Sequence, residues 1–186
     1  FGYWNPTDMA DSDVRGKHVV VRSGAGKVLA EKVPVRIPAA FEQVVQSWDM
    51  AFKATDQSDF VVGHVWGRVG ANIYLIDRDS ARRNFPDTLA AVRKMDRMYP
   101  VAEKLVEDKA NGPAVVDTLR NEIPGLIPVS PAGGKEARVN AISGYCRAGN
   151  VFLPNPLVYP WVWEVLEQFA NFPKASHDDD VDAFSQ

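Results

Sequence analysis

Hydrophobic and polar positions change rhythm several times along the chain, and each change marks an element. Val44-Val45-Gln46-Ser47-Trp48-Asp49-Met50-Ala51-Phe52 is an apolar strand with one acid in its middle. Residues 59–69, with Phe60-Val61-Val62-Gly63-His64-Val65-Trp66-Gly67 at their centre, predict a second strand. Asn72-Ile73-Tyr74-Leu75-Ile76-Asp77 predicts a third, across a Gly70-Ala71 turn. The pattern then becomes helical. Leu89, Val92, Met95 and Met98 recur at helix spacing from Pro86 to Met98, with Asp87 near the start. Lys104 to Asp108 is a short strand. Gly112-Pro113 opens a helix through Val115, Val116, Leu119 and Ile123, closed by Pro124-Gly125. Leu126 to Val129 is a fifth strand, Gly134 to Ala148 a helix, Val151 to Pro154 an extended piece, and Trp161 to Phe169 a helix rich in large apolar residues.

The chain closes on Ser176-His177-Asp178-Asp179-Asp180-Val181-Asp182-Ala183-Phe184. A solvated acidic tail would not carry Val181, Ala183 and Phe184. On a helix, Asp179 and Asp182 share a face, Asp178 lies one turn from Asp182, and Val181 and Phe184 form an adjoining face that can pack on a core. Carboxylates held side by side repel unless a cation sits between them, and an all-oxygen group suits Mg2+ or Mn2+. The plainer reading is an N-cap followed by acids that favour the helix dipole.

Strands alternating with helices in the second half predict right-handed crossovers onto a sheet that begins antiparallel. The expected fold is α/β: a mixed sheet of five or more strands with helices on both faces. Residues 1–40 read as an N-terminal extension, within the same domain or as a linker. In it Val19-Val20-Val21-Arg22 and Lys27-Val28-Leu29-Ala30 form a hairpin around Ser23-Gly24-Ala25-Gly26. Gly24-Ala25-Gly26-Lys27 is not a phosphate loop, because Val28 follows the lysine where Ser or Thr is required. Residues 41–186 form the main domain.

Composition adds little. A chain of 186 residues with 46% hydrophobic and 24% charged residues makes about one globular domain, and its net charge of −3 does not advertise nucleic acid. The single cysteine, Cys146, excludes an internal disulfide and reads as a buried small residue. No apolar run approaches the roughly eighteen residues of a membrane span. Starting at Phe1 and stopping at Gln186 inside a helical pattern, the chain reads as part of something longer.

Three acidic stations then stand out: Asp49 in the first main strand, Asp108 with Glu107 before it at the end of the fourth, and the Asp178–Asp182 group. Alternation turns one of Glu107 and Asp108 to solvent. If the first and fourth strands are neighbours, the three stations meet in the layout of a two-metal phosphoryl-transfer site. Lys109, Lys135, Arg138 and Arg147 are candidates for DNA phosphates or solvated helix faces. His177 orients the last helix or serves as a ligand. His64, Trp161 and Trp163 read as core.

The succession Ser47-Trp48-Asp49-Met50-Ala51-Phe52, Val106-Glu107-Asp108-Lys109-Ala110-Asn111-Gly112, Lys135-Glu136-Ala137-Arg138, Gly149-Asn150-Val151-Phe152-Leu153-Pro154 and His177-Asp178-Asp179-Asp180-Val181-Asp182-Ala183 resembles the C-terminal nuclease domain of the large terminase subunit of tailed bacteriophages. The resemblance spans roughly residues 40–186. It implies a ribonuclease H-like fold that cuts double-stranded, concatemeric phage DNA with two Mg2+ or Mn2+ ions at the end of a packaging motor. By motif it assigns Asp49, Asp108 and the last acidic group as catalytic and metal ligands, with Asp179 and Asp182 favoured and Asp178 the alternative. It further implies a terminase ATPase domain outside this chain, a small terminase subunit and a portal protein as partners, no membrane, and residence in the host bacterial cytoplasm. The rival readings are another ribonuclease H-like nuclease, of resolvase or integrase type, and a non-catalytic docking module of the motor.

Overall fold

A computed structural model describes residues 1–9, 19–22, 28–50, 59–130, 133–174 and 178–186. Its elements are β1 (Gly2–Asn5), β2 (Val19–Arg22), β3 (Val28–Lys32), β4 (Val35–Arg36), β5 (Gln43–Asp49), β6 (Asp59–Val69) and β7 (Asn72–Arg83). These are followed by α1 (Phe85–Met98), β8 (Glu103–Glu107), α2 (Gly112–Leu119), β9 (Leu126–Val129), α3 (Lys135–Ala148), β10 (Val151–Pro154), α4 (Val162–Asn171) and α5 (Asp179–Ser185).

Eight strands form one mixed sheet in the order β4-β1-β10-β7-β6-β5-β8-β9. β5, β6 and β7 make the antiparallel meander expected from the alternation. β8 joins β5 in parallel, and β9 joins β8 in parallel, so the first and fourth main strands are neighbours. The far side of the sheet is larger than the pattern predicts. β10 adds to β7, and the N-terminal β1, an unplaced aromatic stretch in the sequence, adds to β10. Trp4 locks it there, its indole Nε1–H donating to the Leu75 carbonyl at 2.8 Å. β2 and β3 form the expected hairpin as a separate ribbon, while its turn lies outside the described residues.

Two apolar clusters sit on opposite faces of the sheet. On one, Trp48, Val61, Val65 and Val106 pack against Leu89, Val92 and Met95 of α1 and against Val115, Val116 and Leu119 of α2. On the other, Trp66, Leu75, Val151 and Leu153 meet Val162 of α4, with Leu166 and Phe184 packed against them. α1 starts where a cap makes it start: the Asn84 side chain accepts from the Asp87 N–H at 2.9 Å, and Pro86 lies in the first turn. Gly112 opens α2 so close to β8 that a Cβ there would stand 1.9 Å from the Glu107 carbonyl oxygen. Only glycine lets the helix press on the strand end that carries Glu107.

The C-terminal helix is docked by specific bonds. Ser47 Oγ donates to the Ala183 carbonyl at 2.6 Å, and the Gln186 amide donates to the Trp48 carbonyl at 3.1 Å. Phe184 stacks on Trp66 at 4.6 Å between ring centroids, a contact worth about 0.5–1.5 kcal/mol beyond area burial. Trp163 does not join the core and is 44% exposed. One residue past Val162 on α4, its side chain is rotated about 100° away from the face that Val162, Val165 and Leu166 bury. Cys146 is only half-buried. Among the described residues no helix is long and apolar enough to cross a membrane.

Candidate active site

Strand alternation builds the site. Ser47 faces α5, so Asp49, two residues on, faces it too, while Trp48 between them enters the opposite core. The β5–β8 register pairs Ser47 with Leu105 and Trp48 with Val106. Continued by one residue, it sets Asp49 opposite Glu107, on the same face as Leu105. Asp108 follows the last residue of β8. It is exposed, and its Oδ2 accepts a 3.3 Å hydrogen bond from Ser130 Oγ. Of the pair at the end of β8, Glu107 meets Asp49 and Asp108 does not.

Asp49 is 2% exposed, and its Oδ1 has no hydrogen-bond partner among the described residues. Burial pushes its carboxyl up to about 8, helped by the charges of Asp182, Glu107 and Asp179 and by a hydrogen bond to Glu107. Four acids from three elements thus converge: one from β5, one from β8 and two from α5. The structure brings together Asp49, Asp179 and Asp182 as the sequence expects, and adds Glu107. Alternation next to Val106 was the signal for it.

Cations stand around this group. Lys109 Nζ lies 2.9 Å from Glu107 Oε1. Lys135 Nζ lies 2.6 Å from Asp178 Oδ2 and 2.5 Å from Asp182 Oδ2, and Arg138 donates to Asp182 Oδ1 at 2.8 Å. Burial still leaves the Asp182 carboxyl above the usual range, against the pull of Lys135 and Arg138. Asp178, one residue before α5, pairs with Lys135. With carboxylate oxygens turned to these cations, no three His, Cys, Asp or Glu side chains among the described residues are closed around one ion position. The donor set nonetheless fits a hard divalent cation: it is all oxygen, strongly anionic, and holds one buried carboxylate oxygen that nothing among the described residues satisfies.

Asp180, between Asp179 and Asp182, has a different role. It is fully buried and faces β6 and β7. Arg78 grips it from Nε and Nη2, both at 2.8 Å, and His64 Nε2–H donates to its Oδ1 at 2.8 Å. Arg78 also donates to Glu164 of α4 at 2.9 Å, and the Asp180 N–H donates to Gln168 Oε1 at 2.9 Å. Burial would raise the Asp180 carboxyl, but His64 and Arg78 hold it below the usual carboxylate range. His64 is thus a hydrogen-bonded core residue, as expected. Asp180 is the anchor that sequence reasoning did not separate from its neighbours. His177 lies outside the described residues, and Arg147 is exposed in the last turn of α3.

Residues 46–186 match the family model described as terminase RNaseH-like domain. The fold is shared with solved structures. The large terminase nuclease of the thermophilic phage G20c, crystallised with bound zinc, aligns over 99% of this chain and 91% of its own, at 17% identity and a TM-score of 0.58. The large terminase nuclease domain of bacteriophage SPP1, with bound Mn, aligns over 98% and 92%, at 16% identity and a TM-score of 0.53. A large terminase of another thermophilic bacteriophage aligns over 96% of this chain but 43% of its own length, at 12% identity and a TM-score of 0.62. No curated protein matches the chain significantly in sequence.

Proposed function

The chain belongs to the terminase RNaseH-like domain family, and from that premise we propose that it is a metal-dependent endonuclease domain that cuts concatemeric double-stranded phage DNA by hydrolysis of phosphodiester bonds. The observation that carries the proposal is Asp49: a buried carboxylate crowded by three further acids, with an oxygen that is unsatisfied and no cation paired to it among the described residues. A protein gains nothing in stability from such a group, and perturbed acids of this kind gather at sites of chemistry.

Asp49, Glu107, Asp179 and Asp182 would hold two divalent ions, Mg2+ or Mn2+. Asp108 is the less suited end of the β8 pair because its side chain is exposed and takes a hydrogen bond from Ser130. When bound, the ions would supply an activated water and stabilise the leaving oxygen of an in-line displacement. The chain's own part is positional. β5 and β8 set two carboxylates side by side at the C-terminal ends of neighbouring inner strands, the Gly112 contact keeps the β8 end in place, and the Asp180 anchor holds α5 over both. Lys109, Lys135 and Arg138 pair with acids of the same group and suit a phosphate backbone, which would give binding without sequence preference. The zinc bound in the G20c nuclease structure and the manganese bound in that of SPP1 support a divalent ion for this fold. The ATPase domain, the small subunit and the portal are the partners a terminase nuclease requires, and the host cytoplasm is where it would work.

The test is nicking of supercoiled plasmid with Mn2+ or Mg2+, for the wild type and Asp49→Asn. Cutting that needs the metal and disappears in the variant is expected. Equal cutting by both would reject the site, and no cutting by a protein that binds portal would favour the docking module. Discrete bands from a random-sequence plasmid, unchanged between low and high salt, would point to a site-specific enzyme instead.

A further inference from the structure

α3 runs for 14 residues without one fully buried side chain. Such a helix gains little from core packing, so ion pairs weigh heavily in where it lies. Those pairs are at its first turns. Lys135 bridges the Oδ2 atoms of Asp178 and Asp182, and Arg138 takes Asp182 Oδ1 at 2.8 Å and Ser185 Oγ at 3.3 Å. Both oxygens of Asp182 are therefore held by α3. The two clamps are unequal: the Arg138 side chain is 9% exposed, and that of Lys135 is 33% exposed. Arginine's planar fork is fixed by two acceptors, whereas the lysine is a point charge on a flexible stem. Just before the helix, a Cβ at Gly134 would touch nothing within 4 Å among the described residues, so none of them packs on that position.

A unit positive charge resting on Asp182 Oδ2 repels a divalent ion sharing that carboxylate. Lys135, the more exposed of the two clamps, is the one that can leave. We propose that Lys135 is an exchangeable counter-cation. In the metal-free protein it holds Asp178 and Asp182 together; it leaves Asp182 when the acidic group takes up divalent ions, and its freed ammonium then holds a phosphate of the DNA. Lys135 is in this sense a positioning residue that couples metal loading to DNA engagement. The inference rests on the reading of the Asp49 group as a divalent-ion site, and it goes beyond that reading in assigning the lysine two successive partners.

Three measurements on the whole chain test it. Isothermal calorimetry with Mn2+ should give Lys135→Ala and Lys135→Gln an affinity tighter by about fivefold, the equilibrium ratio a partly exposed ion pair is worth. Arg147→Ala, which removes the same charge from the far end of α3, should leave that affinity unchanged. In protein labelled with 15N on lysine Nζ, Mg2+ without DNA should shift the Lys135 signal, identified by its loss in Lys135→Gln. Binding of a short DNA duplex should weaken in both Lys135 variants with Ca2+ present, with a salt slope lower by about one, and should be unaffected in EDTA. If Mn2+ binds and Asp49→Asn abolishes that binding, but Lys135→Ala neither tightens it nor alters DNA affinity with Ca2+, the exchange is wrong and the metal site stands. If no Mn2+ binding depends on Asp49, both readings fall.

Discussion

Asp180 and Asp182 stand on the same short helix and look out on opposite worlds. Asp180 is gripped by Arg78 and His64 in a fully buried network, and its carboxyl is held below the usual range. Asp182, although Lys135 and Arg138 reach both its oxygens, shares with Asp49 a region of crowded acids, and burial keeps both carboxyls above the usual range. The contrast separates two uses of buried charge. Where partners saturate the carboxylate, it fastens an element; where they fall short, the fold carries a cost that something from outside must relieve. One motif of four aspartates holds both uses, because a helix turns successive side chains to different neighbours.

The largest expected effect comes from breaking the saturated side. Asp180→Ala leaves the Arg78 guanidinium and His64 buried without their acceptor and should cost about 3–5 kcal/mol, read by urea denaturation at neutral pH. The wild type should lose the same contribution in acid. Because the folded carboxyl lies below its unfolded value, the stability is present above about pH 4 and disappears as pH falls through the folded value.

On the starved side the sign reverses. Asp49 holds its proton to about 8 in the folded protein against 3.8 for the free side chain, so the metal-free protein should lose stability as pH rises between these values. Asp49→Asn should remove that slope and stabilise the metal-free protein by roughly 2–4 kcal/mol at pH 7, while abolishing cleavage. Melting curves across pH 4–9 for both proteins check it. A variant less stable than the wild type at pH 8 would contradict the crowding of acids around Asp49.

Smaller still is the effect of the ion. Mg2+ at ten times its dissociation constant should stabilise the wild type by about 1.4 kcal/mol, with proton release near neutral pH, and should leave Asp49→Asn unmoved. Thermal melts and calorimetry in two buffers of different ionisation heat measure both. The smallest effect sharpens the contrast within β8. Asp108→Ala should stay within about 0.5 kcal/mol of the wild type and keep its cutting, whereas Glu107→Gln should lose it. Plasmid nicking by the two variants decides which of them the metal needs.

Much of this architecture was legible along the chain. The meander β5-β6-β7, the helices α1 to α5 and the strands β8 to β10 follow the apolar periodicity to within a few residues, because burial on one face imposes that period on any sequence that forms the element. The end of β7 was less legible: it runs on through Asp79, Ser80, Arg82 and Arg83, polar residues whose strand form comes from pairing with β6 and not from their own pattern. β1 was illegible for the same reason, since a four-residue strand is held by its partner β10.

By itself the sequence pointed to most of the elements, to a meeting of Asp49 with the end of β8 and the last helix on condition that the first and fourth main strands are neighbours, and to the kinship with terminase nucleases, since periodicity, residue type and motif order all lie along one dimension. Only the tertiary structure decided between neighbours. It put Glu107 and not Asp108 opposite Asp49, made Asp180 an anchor while Asp179 and Asp182 stayed with Asp49, and set Lys135 across Asp178 and Asp182. These are choices of face and register. Adjacent residues of one type are equivalent in a linear pattern, and they become different only when strand pleat, helix turn and packing give each its own surroundings.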